Sequence, residues 1–411
     1  MKHRLRKAAV AGGLAAGLLM TSAPAAFAGN TLNQVGSDTT YWVQQVAANR
    51  YNIDTVSNPN GDVIVNTPPI VTPPFPTGMV APADADCGEI VYKNDAASQS
   101  VAYTTAGGGT ASIGYKPPNG SGSGKTALVN DASLSCIDLS RSSSGRSGSD
   151  PASIDYYAYG LGALGWVKFA GSKATNLSQD SIIKIYTCDS VTKAPIYDDW
   201  ADVPELAGTG FSGPIVKYIP QTGSGTFSFF KSKLLNNANP DANCSLAGAD
   251  GQAGTADDNP ATTIGTYLQE HSATGVDPAT KARAIYVFDY AQWYAQSKQL
   301  QPDQRNGSVF GSINGVKPTA STINVGPTRF FGTRYVFTIV KSTAVRYLNT
   351  MQYAGAGDID GNAATPDTNG FICSGKAGLT IKAFGFAPLK KVADANNGGL
   401  LSYCAKNPTA L

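Results

Sequence analysis

The feature that most constrains this chain is a repeated alternation. Short apolar strand-like segments run into turns of Gly, Ser and Thr, and helical runs follow. Residues 215–219 read as a strand, pass into the turn 220–226, and continue as a helical run over 227–235. Residues 284–288 and 334–340 read as strands, each followed by a helix, over 290–300 and 344–353. Residues 156–169 read as a buried strand and 177–186 as a short helix with Ser178 as its N-cap. Near the start, Trp42, Val43, Val46, Ala47 and Tyr51 have helical spacing behind Gly36 and Ser37. Strands alternating with helices predict an α/β protein with mainly parallel sheets.

Composition narrows the class. With 411 residues the chain is long enough for two or three domains, and 42% hydrophobic residues can bury real cores. Charged residues are only 15%, beside 45 Gly and 24 Pro, which excludes a coiled coil and a nucleic-acid binder working through a basic face. Residues 1–28 read as a secretory signal: a basic start from Lys2 to Lys7, an apolar stretch, and Ala26-Phe27-Ala28 as the cleavage site. No Cys near that site offers a lipid anchor. Removing Lys2, Arg4, Arg6 and Lys7 leaves 27 basic against 29 acidic residues, a net of −2. An anion must therefore be held by local geometry rather than by bulk charge.

The six cysteines fit disulfides in an exported protein, and pairing of sequence neighbours is expected: Cys87–Cys136, Cys188–Cys244 and Cys373–Cys404. After the leader a single histidine remains, His271, at what reads as the exposed end of a helix over 267–271. That scarcity argues against a Ser-His-Asp or Cys-His hydrolase. Residues 52–85 shift to Pro, Asn, Asp and Val and read as a surface insertion, extending to about 110. The Asp-rich stretches 250–258 and 358–362 resemble calcium loops, although Ala363 and Asn369 break the EF-hand pattern, and both are read as solvated turns. The Gly-rich stretch 119–126 lacks the first glycine of a Walker loop, because that position is Asn119.

Three Gly/Ser/Thr turns remain: 36–40, 120–124 and 223–226. A helix start presents free N–H groups and a partial positive charge, glycine permits close backbone approach, and hydroxyls add donors. Several such turns converging form an oxyanion site that needs little net charge.

In this order, the motifs resemble the phosphate-binding proteins of phosphate ABC transporters, of the type II periplasmic binding protein fold. Gly36-Ser-Asp-Thr-Thr40, Gly120-Ser-Gly-Ser-Gly124, Ser140-Arg141 and Gly223-Ser-Gly-Thr226 carry the resemblance, with Trp200 and Phe384-Gly-Phe-Ala-Pro-Leu389 as further landmarks, over about 35–389. The resemblance implies a two-lobed α/β fold with two hinge crossings, near 156–166 and 332–336. One lobe would comprise 29–155 and 335–411, the other 156–334. It implies ligand contacts by Thr39, Thr40, Ser121, Arg141, Ser224, Gly225 and Thr226. Asp38 is expected either to accept a proton from the ligand or to cap the first helix. Where family members have an Arg and then an Asp before the last turn, this chain has Pro220 and Thr222, and Arg141 stands where an acid often reads the ligand's proton. Arg141 is therefore expected to supply the charge, so that Arg141→Ala weakens phosphate binding at least about tenfold.

The reading that follows is a secreted, monomeric binding protein without cofactor, enzymatic activity or nucleic-acid partner. It takes phosphate or a similar oxyanion and serves an ABC permease. Two alternatives stand beside it. A secreted surface or matrix protein could keep the fold without transport. A phosphate-ester hydrolase would need a metal cluster or activated nucleophile, and no His or Asp set has that spacing.

Overall fold

The computed structural model describes residues 30–66, 91–92, 100–104, 110–114, 120–131, 137–221, 224–240, 244–246, 259–260, 266–357 and 368–411. The leader, Cys87, Cys136, Thr222, Gly223 and both Asp-rich stretches lie outside the described residues.

The principal elements are β1 (Thr31–Gly36), α1 (Tyr41–Ile53), β2 (Val63–Asn66), α2 (Gly120–Asn130), β3 (Leu139–Ser142), β4 (Ile154–Lys168), α3 (Gln179–Tyr186) and β5 (Val216–Pro220). They continue with α4 (Gly225–Phe229), β6 (Thr266–Leu268), β7 (Ala284–Asp289), α5 (Tyr290–Ser297), β8 (Thr333–Lys341), α6 (Tyr347–Ala354) and α7 (Gly378–Ala383). The sheet runs β6-β5-β7-β4-β8-β3-β1-β2. At one end β6, β5 and β7 are parallel, and at the other β3, β1 and β2 are parallel. Two long antiparallel strands, β4 and β8, join the ends, paired from Ile154–Lys341 to Ala163–Thr333. Residues almost continuously buried along β4 explain why its sequence lacks polar alternation.

The apolar core forms separate clusters. One gathers Trp166, Ile185, Tyr186, Trp200, Phe230 and Phe288. The others lie on two faces of the sheet, with Leu32, Val43, Tyr51, Val340 and Tyr353 on one side and Val35, Leu128 and Ile339 on the other. Ser178 caps α3 by accepting from Ser181 N. Disulfides Cys188–Cys244 and Cys373–Cys404 are formed.

Three expectations change. The segment after α1 is not all insertion: Val63–Asn66 pairs with β1 as an edge strand, because Ile64 and Asn66 alternate inward and bury against it. Farther along, Val91–Tyr92, Ser100–Thr104 and Thr110–Gly114 form a separate antiparallel sheet. Residues 267–271 are not a helix end. They are the end of β6 and the turn after it, with His271 half-buried and its carbonyl accepting from Gln296 Nε2 at 2.7 Å.

Candidate functional site

Sequence dictates the first turn through two glycines. Gly36 ends β1 at φ +108°, and a Cβ there would lie 2.5 Å from Arg141 O. In α2, a Cβ on Gly124 would lie 2.4 Å from Gly36 Cα. The start of α2 thus packs directly on the bend. Asp38–Thr40 form a single 3-10 turn leading into α1, and neither Ser37 nor Thr40, in the capping positions, gives a side-chain cap. Asp38 does not cap α1: the helix starts three residues later, and the carboxyl takes no hydrogen bond among the described residues. Thr40 Oγ1 turns back to Ser37 O at 3.4 Å.

Arg141 lies beneath this turn, 1% exposed. Its guanidinium donates to the carbonyls of Ser37 (3.2 Å), Gln34 (3.0 Å) and Gly36 (3.3 Å) and to Asn66 Oδ1 (2.9 Å). It also sits over the Tyr41 ring at 5.3 Å. Arg141 is the residue expected to reach an anion from its strand. Here its donors reach three backbone carbonyls of β1 and the bend after it and the side chain of Asn66. It fastens the bend rather than facing the cleft.

The start of α4 packs against this turn. Ser224 caps α4 by accepting from Phe227 N at 2.9 Å. Gly225 packs so closely on the first lobe that a Cβ would meet Ser121 Oγ at 2.3 Å and Ser143 Oγ at 2.9 Å. Ser121 Oγ accepts from Ser143 N at 2.9 Å. Thr226 Oγ1 lies 3.3 Å from Thr39 Oγ1. Thr39, Ser121, Ser224, Gly225 and Thr226, drawn from three separated turns, therefore meet at one buried contact. Thr40 and Arg141 stand behind it.

Sequence reasoning missed the charged groups here. Arg334, near the start of β8, is 3% exposed and donates through Nη2 to Thr226 Oγ1 (3.0 Å) and Asp289 Oδ2 (2.9 Å). Its Nε and Nη1 are buried with no hydrogen-bond partner among the described residues, and the guanidinium sits over the Phe229 ring at 5.4 Å. Asp289 ends β7, and its Oδ1 caps α5 by accepting from Ala291 N and Gln292 N. Glu270, 3% exposed, accepts from Thr39 Oγ1 through Oε1 at 3.1 Å, and its Oε2 has no partner. Gln292, on α5, donates to Asp38 O and Thr39 O at 3.1 and 2.5 Å, and is itself held by Gln301. The legible signals were faint: Asp289 stands before a helical run as an N-cap should, and Arg334 opens an otherwise apolar strand.

Burial governs the electrostatics. It pushes Asp38 well above the usual carboxylate range, Glu270 adds to that, and Arg141 opposes it. Burial also raises Asp289, against the pull of Arg334. Burial lowers His271, opposed by Glu270. The site combines hydroxyl and amide donors, one guanidinium with open N–H groups, and acidic acceptors.

No protein-family model matches the chain, and neither does any curated protein. Among solved structures, it is similar to a putative phosphate ABC transporter substrate-binding protein with bound phosphate from Clostridium perfringens, at 13% identity and TM-score 0.50. That match covers 88% of this chain and 100% of the other. It is also similar to an ABC-type phosphate transport receptor from Vibrio cholerae, at 12% identity and TM-score 0.47, covering 87% and 99%. The first likeness establishes the fold, that of type II periplasmic binding proteins.

Proposed function

We propose that this chain is an extracytoplasmic solute-binding protein that closes two lobes on an oxyanion, phosphate before others, for an ABC importer. The lobes are assigned as 29–155 with 335–411, and 156–334, with β4 and β8 as the hinge. The leader is assigned as a signal peptide removed after Ala28, and the mature protein as a monomer. The two disulfides accord with an oxidising compartment, and the similar structures named as phosphate receptors support the ligand class.

One observation carries the reading. At the point where hydroxyls from both lobes meet, a buried arginine keeps two donor nitrogens without partners. A buried unsatisfied guanidinium is costly unless an acceptor arrives. An oxyanion would take Arg334 Nε and Nη1, the hydroxyls of Thr39, Ser121 and Thr226, and the amides of the first turn. Asp289 would hold the guanidinium in place, as an oriented partner does. Arg334 would thus do what the sequence alone suggested for Arg141. Only the closed arrangement brings both walls to the ligand, so binding would shift the population toward it.

A thermal-shift screen with phosphate, sulfate, molybdate and small carboxylates, followed by calorimetry on the best ligand, tests this. Phosphate should raise the melting temperature and bind one to one. Stabilisation by a carboxylate and by no oxyanion would refute it.

A further inference from the structure

The start of α5 touches both sets of donors at the candidate site. Asp289 Oδ2 accepts from Arg334 Nη2 at 2.9 Å, and its Oδ1 caps the helix by accepting from Ala291 N and Gln292 N. Three residues on, Gln292 Nε2 donates to Asp38 O at 3.1 Å and to Thr39 O at 2.5 Å. The Gln292 side chain is itself fixed. It is buried, and Gln301 Nε2 donates to its Oε1 at 2.7 Å and to its backbone carbonyl at 2.9 Å. Ala291 and Ala295 hold the same helix in one apolar cluster with Val43 and Ala47 of α1.

Gln292 takes only one side of the first turn. A trans peptide unit is planar, so its C=O and N–H point in opposite directions. Holding the carbonyls of Asp38 and Thr39 toward α5 therefore turns the N–H groups of Thr39 and Thr40 the other way. These amides lie in the turn that runs without a break into α1, where a helix supplies no acceptors for its first N–H groups. An amide side chain suits the task, because it donates to two carbonyls without adding charge to a buried place. On the same side of the molecule, Arg334 Nε and Nη1 are buried with no hydrogen-bond partner among the described residues, while its Nη2 reaches Thr226, the neighbour of Thr39.

Resting on the oxyanion reading, we propose that Gln292 is a positioning residue, which aims the Thr39 and Thr40 amides at the bound oxyanion. Gln292 touches no ligand atom. It acts through two peptide units, while Asp289, at the cap of the same helix, acts through Arg334. The start of α5 thus sets the spacing between the neutral donors and the charged one. Donors held in place before the ligand arrives need little reorganisation when it binds.

Nuclear magnetic resonance of the full chain, labelled with ¹⁵N at threonine and arginine and titrated with inorganic phosphate, tests this beside calorimetry. In the wild type, phosphate should move the Thr39 and Thr40 amide protons downfield, as donation to an anion does. In Gln292→Met, similar in length but without a donor, those movements should shrink and affinity should fall about tenfold. The Arg334 Nε–H should keep its response in that variant. Phosphate binding to the wild type that leaves both threonine amides unmoved would overturn the proposal, and that measurement needs no variant. So would unchanged affinity in Gln292→Met. Weakened binding with a full threonine response would also overturn it, since Gln292 would then serve the fold alone. Absence of phosphate binding to the wild type would overturn the oxyanion reading and this proposal with it.

Discussion

Arg141 and Arg334 are buried to nearly the same degree, 1% and 3% exposed, and each belongs to a strand that leads to the cleft. Their surroundings differ. Arg141 directs its guanidinium into carbonyls of the chain that carries the first turn. Arg334 is anchored by one carboxylate and one hydroxyl, and two of its nitrogens stay without partners. Burial and charge alone do not separate a structural arginine from a ligand-facing one; hydrogen-bond saturation does. The first holds the shape of a donor-rich bend, and the second is the one proposed to offer charge to a ligand.

The strongest way to break this comparison is to exchange the roles by mutation. Arg334→Ala should weaken phosphate binding by at least about a hundredfold, the scale of removing one partner of a buried, hydrogen-bonded charge pair. Calorimetry measures it, and Arg334→Lys should recover only part, because an ammonium lacks the fork. Arg141→Ala should act first on folding, lowering stability by about 3 kcal/mol in denaturant titrations, since three buried carbonyls lose their donor. An Arg141 variant that folds normally but does not bind would reverse the assignment.

Smaller effects sharpen it. Gly225→Ala would place a Cβ against Ser121 Oγ, too close for the two to stay where they are. Affinity should fall about tenfold, the equivalent of about 1.4 kcal/mol, with little change in melting temperature, because the lobes can part to relieve the clash. Thr39→Val removes the hydroxyl shared with Thr226 and Glu270, and the affinity loss should be about five- to tenfold. A further effect lies away from the cleft. Asp138 is paired with Arg346 at 2.8 Å, yet burial pushes its pKa up to about 7. A carboxyl raised in the folded state binds its proton more tightly there than in the unfolded chain. Stability from this group should therefore decline as pH rises from about 4 to 7, and Asp138→Asn should flatten that part of the profile.

Much of the frame was legible because periodicity and punctuation act locally. The run of Trp42, Val43, Val46 and Ala47 predicted α1, Ser178 marked the start of α3, and sequence proximity sufficed for two disulfides. The three turns could be read because glycine is needed where backbones touch, as at Gly36 and Gly225. Arg334, Asp289 and Glu270 could not, since each stands alone at a strand end and acquires its meaning from residues 45 to 231 positions away. The partners of Arg141 were hidden for the same reason: the carbonyls that accept from it lie more than a hundred positions earlier. His271 was misplaced because the apolar residues before it, Tyr267 and Leu268, fit a short strand as well as a helix end.

A crystal structure of the full mature chain grown with inorganic phosphate tests the account most directly. The prediction is one phosphate between the lobes, with oxygens on Arg334 Nε or Nη1 and on the hydroxyls of Thr39, Ser121 and Thr226, while Arg141 keeps its bonds to the carbonyls of Gln34, Gly36 and Ser37. A phosphate held by Arg141 with Arg334 turned away, or an empty crevice beside an anion bound elsewhere, would contradict it.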